Sequence, residues 1–173
     1  MGGCAQCGFD YSSLAPPEAP AALRSIGEAF AAALSRADGR ALRRRPQPGV
    51  WSALEYACHV RDVLLVQRDR LYLALVEDTP TFARMHRDER VGLARYNDQD
   101  PKAVEDQIVV AAELAAGAFA QLEDTHWRRS LVYSWPEPER RDVLWLAAHT
   151  VHEGRHHLTD FATVAGGRTP GGG

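Results

Sequence analysis

Four of the seven histidines in this chain fall within one nine-residue stretch, His149-Thr-Val-His-Glu-Gly-Arg-His-His157. Imidazoles at that density point to a divalent metal. If the stretch is helical, residues four apart share a face, and two overlapping ligand pairs result: His152 with His156, and Glu153 with His157. The choice between them decides the chemistry.

His152-Glu153-Gly154-Arg155-His156 spells the His-Glu-x-x-His string of zincin proteases, in which both histidines hold zinc and the glutamate is general base. That use needs a third protein ligand. A metzincin places a histidine six residues past the motif, where this chain has Ala162. A gluzincin places a glutamate on a later helix, and no Asp or Glu follows Asp160. The zincin reading therefore lacks its third ligand.

The helical register gives an independent criterion. Val143, Leu146, Thr150, Glu153, His157, Asp160 and Val164 share one stripe, apolar at both ends and polar only in the middle. Trp145, His149, His152, His156, Thr159 and Thr163 share another, polar nearly throughout. The more apolar stripe faces a core. Glu153 and His157 are thus expected inside, with His152 and His156 nearer the edge as bystanders or supporting groups.

A buried carboxylate and imidazole need partners, and shared coordination of a metal satisfies both. His59, the one histidine embedded in an apolar stripe of another helix, is the expected third ligand. A His59, Glu153, His157 set leaves an open position for water or substrate, as in catalytic zinc sites. Nickel, iron and manganese suit the same donors. Asp62 and Asp160 each lie about one turn from a candidate ligand and can orient its ring. Blander explanations compete: a single buried histidine is more often hydrogen-bonded core, and Glu153 could pair with Arg70 or Arg155.

Cys4-Ala-Gln-Cys7-Gly has the form of half a zinc knuckle, but a second Cys-x-x-Cys is absent. The competing expectation is a loosely ordered N-terminal tail. With Cys58 the cysteine count is three, and an odd count without a secretory signal argues against a disulfide framework.

Four amphipathic segments must position these groups, which predicts an all-α, four-helix bundle. The first runs from about Ala19 to Ala37, with Leu23, Ile26, Phe30 and Ala33 on one face. A basic loop, Arg40 to Gly49, ends it, and its arginines are expected to be solvated. The second helix opens on a capping box, Ser52-Ala-Leu-Glu55, and carries Tyr56, His59, Val63, Val66, Arg70 and Leu73 as its stripe. A long loop from Glu77 to Asp100 follows, with a short helix expected near Asp88 to Ala94. Asp100-Pro101 starts the third helix, whose stripe is Val104, Ile108, Ala111, Ala115, Ala118 and Leu122. The 124–140 connection, with Trp127, Tyr133, Trp135 and two prolines, reads as irregular or as short extended pieces without a convincing strand pair. The fourth helix spans about Asp142 to Ala165 and stops at Gly166-Gly167. The domain expected is 19–165, flanked by tails at 1–18 and 166–173, the latter disordered.

Composition narrows the function classes. Hydrophobic content of 45% and charged content of 25% are those of a globular protein. A net charge of -3 with interspersed signs leaves no footprint for nucleic acid or an anionic membrane. With no signal-peptide pattern and no membrane-length apolar run, a cytoplasmic protein is expected.

Two windows carry a family resemblance: Trp51-Ser-Ala-Leu-Glu-Tyr-Ala-Cys-His59 and Glu153-Gly-Arg-His-His157-Leu-Thr-Asp160-Phe161. In them the chain resembles the DinB-like superfamily of four-helix metalloproteins, which includes mycothiol-dependent maleylpyruvate isomerases and bacillithiol and mycothiol S-transferases. Many members carry His-x3-His on the last helix, but the isomerase branch is similar to this chain in using Glu-x3-His with an Asp three residues on. The resemblance thus also selects Glu153 and His157. It implies a metal-dependent enzyme that activates a low-molecular-weight thiol for S-transfer or thiol-assisted isomerisation. Mycothiol is the expected co-substrate, because a composition rich in Ala, Arg and Gly fits a high-GC genome. Arg70, further along the His59 stripe, is expected to bind an anionic group of that thiol or its electrophile partner. The alternative is a non-catalytic metal-binding bundle that binds a small molecule or partner protein, and a homodimer is compatible with either.

Overall fold

The computed structural model describes residues 3–134 and 136–170, so Trp135 and the last three glycines of the expected C-terminal tail lie outside the described residues. Four long helices make the bundle: α1 (Ala19–Arg36), α3 (Ala53–Val76), α5 (Pro101–Ala120) and α6 (Val143–Ala165), with a short α2 (Gly39–Arg43) between the first two. Helices α1 and α3 each pack against both α5 and α6. The apolar faces meet in one core that includes Leu23, Phe30, Leu64, Ile108, Phe119 and Leu146. None of the described helices is long and apolar enough to cross a membrane.

Local chemistry sets where the helices begin. Ser52 Oγ accepts from the Glu55 N–H at 3.2 Å while the Glu55 carboxylate accepts from the Ser52 N–H at 2.7 Å, the expected reciprocal cap of α3. Asp100 accepts from the N–H groups of Lys102 and Ala103 at the start of α5, with Pro101 in its first turn. Asp142 accepts from the Trp145 N–H at 2.7 Å and starts α6, so its ligand-bearing face has a fixed phase.

The structure departs from expectation in four places. The basic loop after α1 contains the helix α2, and while Arg40 and Arg44 are exposed as expected, Arg43 donates to the Asn97 and Gln99 carbonyls and Arg45 grips Glu55. The 77–100 loop holds β1 (Thr81–Phe82) and α4 (Arg87–Leu93), the latter close to the predicted short helix. The connection before α6 is a hairpin of β2 (Ser130–Ser134) and β3 (Pro138–Asp142), with β1 parallel to β2 on its other side. Leu131 and Tyr133 of β2 face inward, but β3 reads Pro-Glu-Arg-Arg-Asp, a charged edge strand without alternation.

Residues 3–18 are likewise not a loose tail. The chain reverses between Gly3 and Asp10, makes single 3-10 turns at Tyr11–Ser13 and Pro16–Glu18, and buries Phe9 and Leu14 against the bundle.

Candidate metal centre

Two helices converge on a single point. His59, in the second turn of α3, meets Glu153 and His157, one turn apart on α6, with one donor atom from each within 4.8 Å of the others. Glu153 Oε2 lies 3.8 Å from His59 Nε2 and 3.6 Å from His157 Nε2. Nitrogen and oxygen donors bound about 2.1 Å from one tetrahedral ion stand about 3.4 Å apart. The three atoms are therefore close to the spacing a shared ion needs.

Burial and charge support that fit. His59 is 2% exposed, and among the described residues neither of its ring nitrogens has a hydrogen-bond partner. Leaving a buried polar atom unsatisfied costs about 1–3 kcal/mol, and a metal on Nε2 removes one such cost. Burial lowers the pKa of His59, keeping the ring neutral and its lone pair free. Burial alone would raise Glu153, but the imidazoles of His152, His157 and His59 hold it well below the usual carboxylate range. His157 resists burial in the opposite sense: the carboxylates of Asp160 and Glu153 raise its pKa to about 9.

Asp160, three residues after His157, stands 2.9 Å from its Nδ1 and so aims Nε2 at the site. Asp62 does not play the corresponding part for His59. It accepts from the Tyr96 hydroxyl and from Arg61, away from the imidazole. Trp51 instead holds His59, its ring edge-on at 5.0 Å, and lies tilted against His157 at 6.3 Å.

A cavity of about 370 Å³ opens beside His59 and Glu153, roofed by the segment from Ala83 to Glu89. Arg70 is on its wall. Its guanidinium donates to the Tyr133 hydroxyl at 2.9 Å, the Gln67 side chain at 3.3 Å and the Ala83 carbonyl. Among the described residues no carboxylate lies within ion-pair distance of Arg70, so the expected competitor, a pairing with Glu153, is not formed.

His149 and Tyr133 also line the cavity, and neither stood out as an interior site residue in the sequence. His149 is 8% exposed, stacks on Trp145 at 4.7 Å, and has its pKa lowered by burial to about 4. Its place on the polar stripe concealed it, because the hairpin and the N-terminal segment cover that stripe. Tyr11, from a segment read as tail, sets its hydroxyl 3.1 Å from His149 Nδ1 and 2.9 Å from His152 Nδ1. His152 and His156 stand beside Cys4 and Cys7, and Glu153 lies within reach of His149 and His152 as well as of His59 and His157, its Oε1 being 3.6 Å from His152 Nδ1.

Comparison with known proteins agrees with this architecture. YfiT from Bacillus subtilis, described as a probable metal-dependent hydrolase with an unusual four-helix bundle topology, superposes with a TM-score of 0.73 at 17% identity, over 87% of this chain and 89% of that one. A variant of the mycothiol-dependent maleylpyruvate isomerase superposes with a TM-score of 0.70 at 15% identity, over 87% of this chain but 62% of the isomerase. A further structure of that isomerase gives 0.64 at 16% identity over 86% and 62%. No curated protein matches the sequence. At such identities the superpositions speak to fold alone, but the family model of the DinB superfamily matches residues 22–160, and the chain belongs to that superfamily.

Proposed function

We propose that the protein is a metal-dependent enzyme that holds a divalent ion, zinc by preference, on His59, Glu153 and His157 and activates a low-molecular-weight thiol of the mycothiol class. The observation that carries this reading is a three-donor set beside a cavity large enough for a small substrate. Three protein donors leave a tetrahedral ion one exchangeable position, which a filled, purely structural site lacks. An ion bound there lowers the pKa of a coordinated thiol until it is deprotonated at neutral pH.

The chain's own groups divide the remaining work. Asp160 fixes the His157 ring, and Trp51 shields both imidazoles from water on one side. Arg70, held rigidly by Tyr133, Gln67 and Ala83, offers a positive charge to an anionic group of the thiol or electrophile. His149 stays neutral near pH 7 and supplies a hydrogen bond rather than a charge. The outcome is S-transfer to an electrophile or thiol-assisted isomerisation.

A second reading follows from the likeness to YfiT, in which water takes the exchangeable position and the reaction is hydrolysis. Assays with mycothiol, cysteine and glutathione against haloalkyl and chloronitroaromatic electrophiles, run beside ester hydrolysis without thiol, separate the two. Thiol conjugation is expected to depend on added zinc or nickel and to vanish in His59→Ala. Metal-dependent ester cleavage without thiol turnover would select hydrolysis. Metal-loaded protein inert in both assays would favour the non-catalytic bundle.

A further inference from the structure

The half-knuckle at the N-terminus finds its missing half on α6. One donor atom from each of Cys4, Cys7, His152 and His156 lies within 4.8 Å of the others. We propose that these four residues form a second metal site, a closed Cys2His2 zinc centre that fastens the N-terminal segment to the helix carrying the first. This site is independent of the reaction assigned to the first.

The geometry is built from both sides. On the N-terminal side the chain turns back on itself between Cys4 and Phe9. Gly8 N–H donates to the Cys4 carbonyl at 2.8 Å, and Cys4 N–H donates to the Phe9 carbonyl at 2.8 Å. Gly8 sits at φ +71°, a conformation that glycine adopts without strain. The turn brings two thiols three residues apart to one side. On α6, His152 and His156 are one turn apart and present two imidazoles to the same side. Cys4 Sγ is 3.8 Å from His156 Nδ1, although 152 positions separate them in sequence. A sulfur about 2.3 Å and a nitrogen about 2.1 Å from one tetrahedral ion stand about 3.6 Å apart.

Independent evidence comes from the unused atoms. His152 Nε2 is buried and has no hydrogen-bond partner among the described residues, while Nδ1 of the same ring is 2.9 Å from the Tyr11 hydroxyl. That is the division found in a ligating histidine, one nitrogen for the metal and the other donating to an oxygen that fixes the ring. With His152 Nδ1–H donating to it, the Tyr11 hydroxyl is left to donate to His149 Nδ1. The other ring nitrogen of His156, Nε2, stands 3.6 Å from Asp160 Oδ2, within ion-pair reach but beyond a hydrogen bond. Two thiolates and two imidazoles are a borderline-soft tetrahedral set, suited to zinc, and they leave no position for substrate.

The two sites alternate along α6, ligands 152 and 156 on one side and 153 and 157 on the other. Asp160 touches a ligand of each. The family match begins at residue 22, so the cysteines belong to a segment outside the shared pattern. A zinc clasp there would hold Tyr11 over His149, one of the cavity's walls.

The test uses the full chain purified under reducing conditions, with metal content measured beside cobalt spectra. Wild type is expected to bind two equivalents of zinc, and Cys4→Ser/Cys7→Ser and Glu153→Ala one each. The cobalt form should show a thiolate-to-metal charge-transfer band in wild type and Glu153→Ala, and none in Cys4→Ser/Cys7→Ser. Chelation should expose residues 3–18 to limited proteolysis, and zinc should restore protection. A wild type without the thiolate band, or a cysteine double variant with undiminished zinc, would each overturn the second site. Loss of the Glu153 effect alone would instead undo the first.

Discussion

Asp160 receives the Nδ1 side of His157 at 2.9 Å, and what that contact does is separable from ligation itself. A carboxylate there fixes the tautomer with the proton on Nδ1 and raises the basicity of Nε2. Asp160→Asn keeps the shape and removes the charge. We expect metal affinity at the first site to fall by about 10–100-fold, read by competition with a chromophoric chelator in the Cys4→Ser/Cys7→Ser background. An affinity unchanged by the substitution would mean that packing alone orients the ring. Direct ligands should act more severely: His59→Ala and Glu153→Ala lose the first-site metal by elemental analysis, whereas His152→Ala in that background keeps it. The burial of His157 and Asp160 was legible because a polar group in an otherwise apolar stripe is costly and therefore conspicuous, whereas Glu153, with its side chain 21% exposed, is no deeper than His152 at 13%. The orientation of Asp62 was not legible, since its partners Tyr96 and Arg61 compete for it with His59 and only packing decides between them.

At the level of elements, the site depends on how closely the helices approach. A Cβ on Gly27 of α1 would come within 2.6 Å of the Ala112 Cβ on α5, and one on Gly154 of α6 within 2.5 Å of Ile26 Cδ1 on α1. Gly27→Ala should gain about 1 kcal/mol from helix propensity, but its methyl meets another methyl anchored to a backbone that cannot turn aside. Overpacking of this kind costs about 1–3 kcal/mol. We therefore expect a lower urea midpoint for Gly27→Ala, and substantial recovery in Gly27→Ala/Ala112→Gly. A Gly27→Ala protein more stable than wild type would show that the helices separate freely. The four long helices were legible because capping residues and 3.6-residue periodicity agree along each of them. The hairpin was not, because β3 is a charged edge strand whose pairing with β2 is a tertiary event. The N-terminal clasp was hidden for a similar reason: glycine-rich turns carry no periodicity, and the partners of Cys4 and Cys7 lie at the far end of the chain.

For the whole molecule, the charge state of the first site makes stability depend on pH in opposite senses with and without metal. In the metal-free chain the pKa of His157 rises from 6.5 to about 9, so the stability it contributes is fully present below about pH 6.5 and is lost as pH climbs through 9. His59 and His149 set the acid limit. Burial lowers both below 6.5, so the unfolded chain takes up their protons first and the fold weakens as pH falls below that value. Metal binding reverses the alkaline trend, because His157 must be neutral at Nε2 to ligate, and the ion competes with a proton until pH reaches about 9. The melting temperature of chelated protein should therefore fall between pH 7 and 9.5, while that of metal-loaded protein holds or rises, so the gap between them widens. Calorimetric titration of the Cys4→Ser/Cys7→Ser protein in buffers of different ionisation enthalpy should count about one proton released per metal at pH 7, declining toward none above pH 9. His157→Gln should abolish the alkaline decline of the metal-free protein. A proton count near zero at pH 7 would mean that His157 is already neutral, and the Glu153–His157 ion pair would then contribute nothing to the metal-free fold.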